Sequence, residues 1–125
     1  MKKFVYLISP NRINKKFYSN LDKVLSYGNV EFFQLRLKKI KNNNLLNIVK
    51  IIRKITLKNK VKLIINDDYI FASKFNVEGC HIGQLDGSVK LAKKKLKNKI
   101  LGVTCHNSKI LAVNAIKDGA NYLAF

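Results

Sequence analysis

The sequence predicts an α/β fold of the (β/α)8, or TIM, barrel class, here carrying about six strands and five helices. Three observations lead there. Short apolar runs alternate with amphipathic stretches along the whole 125-residue chain, the pattern of repeated βα units on a parallel sheet. Polar residues gather where four successive strand-like runs end, which is where a barrel builds its ligand site. The turn after the first run, Ser9-Pro10-Asn11-Arg12, holds no glycine, unlike the Gly-rich first turn of an open nucleotide-binding sheet.

Each element follows from its pattern. Residues 4–9 read as a first strand and 16–27 as a helix closed by Gly28, since glycine tolerates the left-handed backbone that ends helices. Residues 30–37 form a second strand. Residues 45–57 form a helix with Leu45, Ile48, Val49, Ile52 and Ile55 on one face. A third strand over 61–66 leads into a short helix over 68–75, and a fourth strand spans 78–82. Ser88 is placed to cap a helix over 89–96, whose apolar face is Val89, Ala92 and Leu96. A fifth strand (100–104), a helix (108–117) stopped by Gly119, and a sixth strand beginning at 121 complete the series. No linker or low-complexity segment divides the chain, so residues 1–125 are expected to be one domain, an incomplete barrel that ends in its sixth strand.

The composition is strongly basic, with 25 Lys and Arg against 7 acids and a net charge of +18. Lysine, asparagine and isoleucine are abundant together in loops, helices and strands alike, which points to a general compositional bias rather than a nucleic-acid patch. A nucleic-acid module would also need interleaved aromatic and basic residues, which are absent. The charge still favours attraction of anionic substrates. Lysine or asparagine interrupts every apolar run, so no membrane span is expected. The N-terminal Phe4-Val5-Tyr6-Leu7-Ile8 run is too short for a signal peptide and is read as strand. Cys80 and Cys105 are too few for a disulfide framework or a zinc site and suit small apolar fillers in a reducing cytoplasm.

Against that basic background the acids Asp67, Asp68 and Asp86 stand out, just past the third and fourth strands. Asp67 and Asp86 could supply two oxygens to a hard cation such as Mg²⁺, which takes one or two carboxylates plus phosphates and water. One member of Asn66-Asp67-Asp68 is also expected to cap the following helix. In Gln34-x-Arg36-x-Lys38 the alternation sends all three to one side of the second strand. Arginine grips phosphate bidentately, lysine adds a point charge and glutamine can bond a neutral heterocycle. His81, inside an apolar strand, is expected to be buried and structural. Neither it nor His106 has a cysteine at a spacing that suggests a nucleophile, so no catalytic side chain is assigned.

The segments Gln34-Leu35-Arg36-Leu37-Lys38, Asn66-Asp67, Gly79-Cys80-His81-Ile82-Gly83-Gln84-Leu85-Asp86, Gly102-Val103-Thr104 and Gly119-Ala120-Asn121-Tyr122 occur in this order. Together they resemble the thiamine-phosphate synthase family, whose running pattern is Q-x-R-x-K, N-D, G-x-H-x-G-Q-x-D, G-x-S and G-A-D-Y. The resemblance implies a (β/α)8 barrel that couples hydroxymethylpyrimidine pyrophosphate to thiazole phosphate and releases pyrophosphate with Mg²⁺ assistance. It implies that Asp67 and Asp86 hold Mg²⁺, that Arg36, Lys38 and Asn66 contact the pyrophosphate, and that Gln34 contacts the pyrimidine. Thr104 stands where the family usually has serine and keeps the substrate-facing hydroxyl. Leu37 replaces a common glutamate and Asp68 an arginine.

A barrel of this type needs about 200 residues or more, and the family's T-x-T-K run and later phosphate loops have no counterpart here. The sequence is therefore read as the N-terminal part of a synthase, without turnover by these residues alone and with self-association open to it. Two other readings are a thiazole tautomerase-like barrel, disfavoured by Asn66-Asp67 and Gln84-x-Asp86, and the basic nucleic-acid module set aside above.

Overall fold

The computed structural model describes residues 1–125, in which six strands alternate with five helices. In chain order these are β1 (Val5–Ile8), α1 (Lys15–Ser26), β2 (Val30–Leu35), α2 (Asn42–Lys58), β3 (Lys62–Asn66), α3 (Tyr69–Lys74), β4 (Gly79–Ile82), α4 (Val89–Leu96), β5 (Ile100–Thr104), α5 (Lys109–Lys117) and β6 (Tyr122–Ala124). The chain separates into two compact units, Met1–Leu63 and Ile64–Phe125, with the division inside β3. No helix is long and apolar enough to cross a membrane.

In the first unit β1 and β2 run parallel, from Val5 opposite Val30 to Ile8 opposite Gln34, with a bulge after Val5. Their apolar residues and the inner faces of α1 and α2 bury Leu21, Leu25, Phe33, Leu35, Val49 and Ile52. Asn14 starts α1, its side-chain oxygen accepting from the Phe17 N–H at 3.1 Å, which satisfies one of the donors a helix start leaves free. Gly28 follows the helix at φ +84°, the left-handed geometry that ends it. Helix α2 starts at Lys41 with no side-chain cap.

The second unit is a parallel ladder in sequence order. Ile64 to Asn66 pair with Gly79 to His81, Gly79 to Ile82 pair with Ile100 to Val103, and Gly102 to Thr104 pair with Tyr122 to Ala124. All four residues of β4 are buried, as expected for a strand covered on both faces. Each helix of this unit is capped by a side chain: Asp68 accepts from Phe71 N–H at 2.8 Å, Ser88 from Leu91 N–H at 3.3 Å and Ser108 from Leu111 N–H at 3.2 Å.

The helix over 89–96 and the strand over 100–104 fall where the sequence placed them. The second strand is shorter than expected. β2 ends at Leu35, so Arg36 and Lys38 lie past the ladder, and alternation along a strand no longer sets their direction. The cause is local: β1 stops pairing at Ile8 opposite Gln34, and Pro10 has no N–H to extend the ladder.

Candidate active site

The polar residues at the C-terminal strand ends of the second unit are held by a dense set of hydrogen bonds. Asn66, the last residue of β3, lies opposite His81, and the next N–H, that of Asp67, donates to the His81 carbonyl at 2.7 Å. Asp67 adopts φ +68°, a left-handed backbone that aspartate tolerates better than most side chains. This turn leaves Asp67 exposed while Asp68 turns back to cap α3. The expectation that one of the pair is a cap is met by Asp68.

Asp86 is fixed by a closed turn. Its N–H donates to the Gly83 carbonyl at 3.3 Å, and its Oδ2 accepts from the Gly83 N–H at 2.7 Å. That leaves Oδ1 without a partner in the chain. Gly83 suits this tight turn because a Cβ there would lie 3.0 Å from Asp86 Oδ2. Between them, Gln84 Nε2 donates to the Thr104 carbonyl at 2.7 Å, tying the loop after β4 to the end of β5.

His81 occupies the middle of this arrangement, buried in β4. Its Nε2 lies 2.8 Å from Thr104 Oγ1 and its Nδ1 lies 2.9 Å from Tyr122 Oη. A neutral imidazole carries one N–H and one acceptor nitrogen, so one hydroxyl donates to the ring and the other accepts from it. The ring spans β5 and β6 and orients the Thr104 hydroxyl. The tyrosine reaches it across Gly102, where any Cβ would stand 2.0 Å from Tyr122 Cζ.

The electrostatics agree with a local concentration of carboxylates. Burial pushes the Cys80 thiol well above its ordinary range, and the nearby charges of Asp68, Asp67 and Asp86 raise it further. Burial also raises the Cys105 thiol. Both cysteines are buried and free, inert fillers as the sequence suggests.

In the first unit the ends of β1 and β2 are joined through Ser9. Its N–H donates to the Gln34 carbonyl at 2.9 Å, and its Oγ accepts from the Arg36 N–H at 2.8 Å. Gln34 is 3% exposed, and its Nε2 donates to Tyr6 Oη at 3.0 Å. Arg36 and Lys38 are exposed. The Lys38 N–H donates to the Asn11 carbonyl at 3.1 Å, which fixes its backbone and leaves its side chain in solvent. From the sequence Ser9 and Tyr6 carry no site role and Tyr122 is named only within the Gly119-Ala120-Asn121-Tyr122 run, because each acts through a partner 27 or more residues away in the chain.

Asp67 and Asp86 come from neighbouring strands and present hard oxygen donors. Carboxylate is the donor type a small divalent cation takes beside phosphate and water, and no group of three or more His, Cys, Asp or Glu side chains forms a ready-made metal cluster in the chain. Asn66 and Thr104, both half-buried, end β3 and β5 in the same unit.

An α/β chain of βα repeats with its polar residues at the C-terminal strand ends has the organisation of a (β/α)8-barrel protein. A solved thiamine phosphate pyrophosphorylase from Pyrococcus furiosus superposes with a TM-score of 0.85 at 24% identity, covering 98% of this chain and 59% of that one. That likeness bears out the expected α/β fold of six strands and five helices. The family model for thiamine monophosphate synthase matches residues 5–125, and the chain belongs to this family. It is 60% identical over 125 residues to the thiamine-phosphate synthase of Pelagibacter ubique, covering 99% of this chain and 60% of the relative. It is 36% identical to that of Erythrobacter litoralis, covering 97% of this chain and 58% of the relative. The chain thus spans about three fifths of the length of the curated relatives it matches.

Proposed function

We propose that this chain carries the pyrophosphate-handling part of a thiamine-phosphate synthase site. The reaction joins the pyrimidine methylene carbon of hydroxymethylpyrimidine pyrophosphate to the thiazole phosphate nitrogen. The C–O bond to pyrophosphate breaks, its electron pair leaves with pyrophosphate, and the nitrogen lone pair forms the new C–N bond. No proton has to be removed by a nucleophilic side chain. The barrier is therefore mainly electrostatic, and what lowers it is positive charge aimed at the leaving group.

The observation that carries this reading is the pair Asp67 and Asp86. Main-chain bonds fix both: the Asp67 N–H on the His81 carbonyl at 2.7 Å and Asp86 Oδ2 on the Gly83 N–H at 2.7 Å. In the proposal Asp67 and Asp86 hold Mg²⁺, which would neutralise charge on the departing pyrophosphate. Arg36, Lys38 and Asn66 bind the pyrophosphate, Gln34 the pyrimidine, and Thr104 places a hydroxyl toward substrate in the orientation that His81 sets.

Calorimetric titration of the 125-residue chain with hydroxymethylpyrimidine pyrophosphate tests it. Affinity is expected to rise about tenfold or more when Mg²⁺ replaces EDTA. Asp67→Asn and Asp86→Asn should each remove that gain with little change in the metal-free affinity. Equal affinity with and without Mg²⁺ overturns the reading.

A further inference from the structure

We propose that the second unit carries an additional anion site, built at the N-terminal ends of β4 and β5, that takes a compact polyphosphate-type anion. A cavity of about 590 Å³ opens there, lined among others by Lys74, Glu78, Lys94, Lys95, Lys97 and Lys99. Glu78 immediately precedes β4 and Lys99 immediately precedes β5. The cavity therefore lies at the opposite strand ends from Asp67, Asp86 and Thr104, and it is independent of the synthase reading.

The lysines divide into two kinds. Lys99 is committed to the fold, its ammonium donating to the Ala72 carbonyl at 2.6 Å and to the Phe75 carbonyl, the open end of α3. Lys74, Lys94, Lys95 and Lys97 make no hydrogen bond or ion pair with their side chains. Four lysines without a side-chain partner line one concavity, and a multivalent anion there would relieve the repulsion among their charges. Glu78 and the carbonyl ends of α3 and α4 oppose an anion, but Lys99 already neutralises part of that negative charge.

The backbone adds a second observation. Lys97 adopts φ 56°, ψ −115°, and the Lys99 N–H donates to the Leu96 carbonyl at 3.1 Å. This is a type II′ turn whose first central position ordinarily belongs to glycine. A lysine held in that strained conformation at the rim of a basic cavity is the kind of outlier from which a binding role is inferred. A small ligand is favoured over a nucleic acid because the lysines line a bounded concavity and no aromatic side chain lines it for base stacking.

The test is an NMR titration of the isotope-labelled chain with inorganic tripolyphosphate at about 0.15 M salt. Saturable shifts are expected in the amides of Lys74 and of residues 94–99, with the strand-end amides of Asp67 and Asp86 unmoved. Combining Lys94→Ala, Lys95→Ala and Lys97→Gly should lower affinity about tenfold or more. Lys97→Gly alone should weaken binding a few-fold while raising Tm, a pairing that a folding defect cannot produce. Non-saturating shifts spread over lysines throughout the chain, or unchanged affinity in the triple variant, overturn the proposal. So does a DNA duplex that binds the same residues more tightly than tripolyphosphate.

Discussion

The two units treat their polar residues in opposite ways. In the second, Asp67, Asp86, Gln84, His81 and Thr104 are each pinned by at least one hydrogen bond at a strand end. In the first, Gln34 is buried and bonded, but Arg36 and Lys38 project from an exposed segment past the strand. Groups that hold a cation need fixed geometry, because oxygen donors displaced by a fraction of an ångström lose the ion. Long cationic side chains can meet a phosphate by folding onto it when it arrives. The second unit thus offers carboxylates whose main chain is fixed by hydrogen bonds, and the first offers cations that stand exposed past their strand.

If the second unit is the rigid one, it should be the less forgiving of added volume. Gly79 sits in the ladder opposite Ile100, and a Cβ there would stand 2.2 Å from the Ile100 carbonyl oxygen. Backbone cannot swing away as a side chain can. Gly79→Ala is expected to cost about 3 kcal/mol in urea unfolding. In the first unit a Cβ added at Gly28 would meet nothing within 4 Å, and only its φ of +84° resists a side chain. Gly28→Ala should cost about 1 kcal/mol. Equal costs would erase the contrast.

Next in size is His81→Leu, which keeps the bulk but strips both bonds from the ring. The Thr104 and Tyr122 hydroxyls would each lose a partner, for a cost of about 2 kcal/mol. Arg36→Ala, at an exposed site, should move stability by less than about 0.5 kcal/mol while still weakening pyrophosphate binding. A neutral result at His81 would mean that the network is not holding Thr104 in place.

These contrasts also mark what was legible from the sequence. The alternation of runs revealed the fold, and the scarcity of acids made Asp67 and Asp86 visible. Ser88 and Gly119 were readable because capping and helix-stopping are local chemistry. The end of β2 was not, since Gln34-x-Arg36-x-Lys38 continues a perfect strand alternation. What stops the strand is its partner: β1 ends at Ile8 and the Ser9 hydroxyl takes over the Arg36 N–H. The pairing of His81 with Tyr122 was invisible for a similar reason. It depends on a separation of 41 residues being closed by β6 pairing with β5, and on a glycine at 102 that leaves room for the ring.

The helix starts give a gain-of-stability prediction. All three helices of the second unit have a capping side chain, whereas α2 begins at Lys41 without one. Lys41→Asp would supply an acceptor for the free N–H groups and a negative charge at the positive helix end. Stability should rise by about 1 kcal/mol, read as a higher urea midpoint at unchanged slope. No gain would show that the extended backbone at Lys41 does not direct a short acceptor onto the helix.

The smallest expected effect is the one that depends on pH, and it belongs to the first unit. Asp22 bridges α1 to the end of α2, with Oδ2 on Lys58 Nζ and Oδ1 on Asn59 Nδ2 at 2.7 and 2.8 Å. The hydrogen bond from Lys58 leads in holding its carboxyl below the ordinary value of 3.8, with Asn59 second. Glu31 is lowered in the same way by the hydrogen bond from Lys62. A carboxyl whose folded pKa is depressed contributes stability above its unfolded value and loses it as pH falls through the folded one. Asp22→Asn combined with Glu31→Gln should therefore leave the acid limb of the urea midpoint flatter below the ordinary carboxylate range. Both pairs are partly exposed, so salt screens them. Raising the ionic strength should bring the unaltered chain toward the variant, and a difference that survives high salt would mean that hydrogen bonding rather than charge holds these helices and strands together.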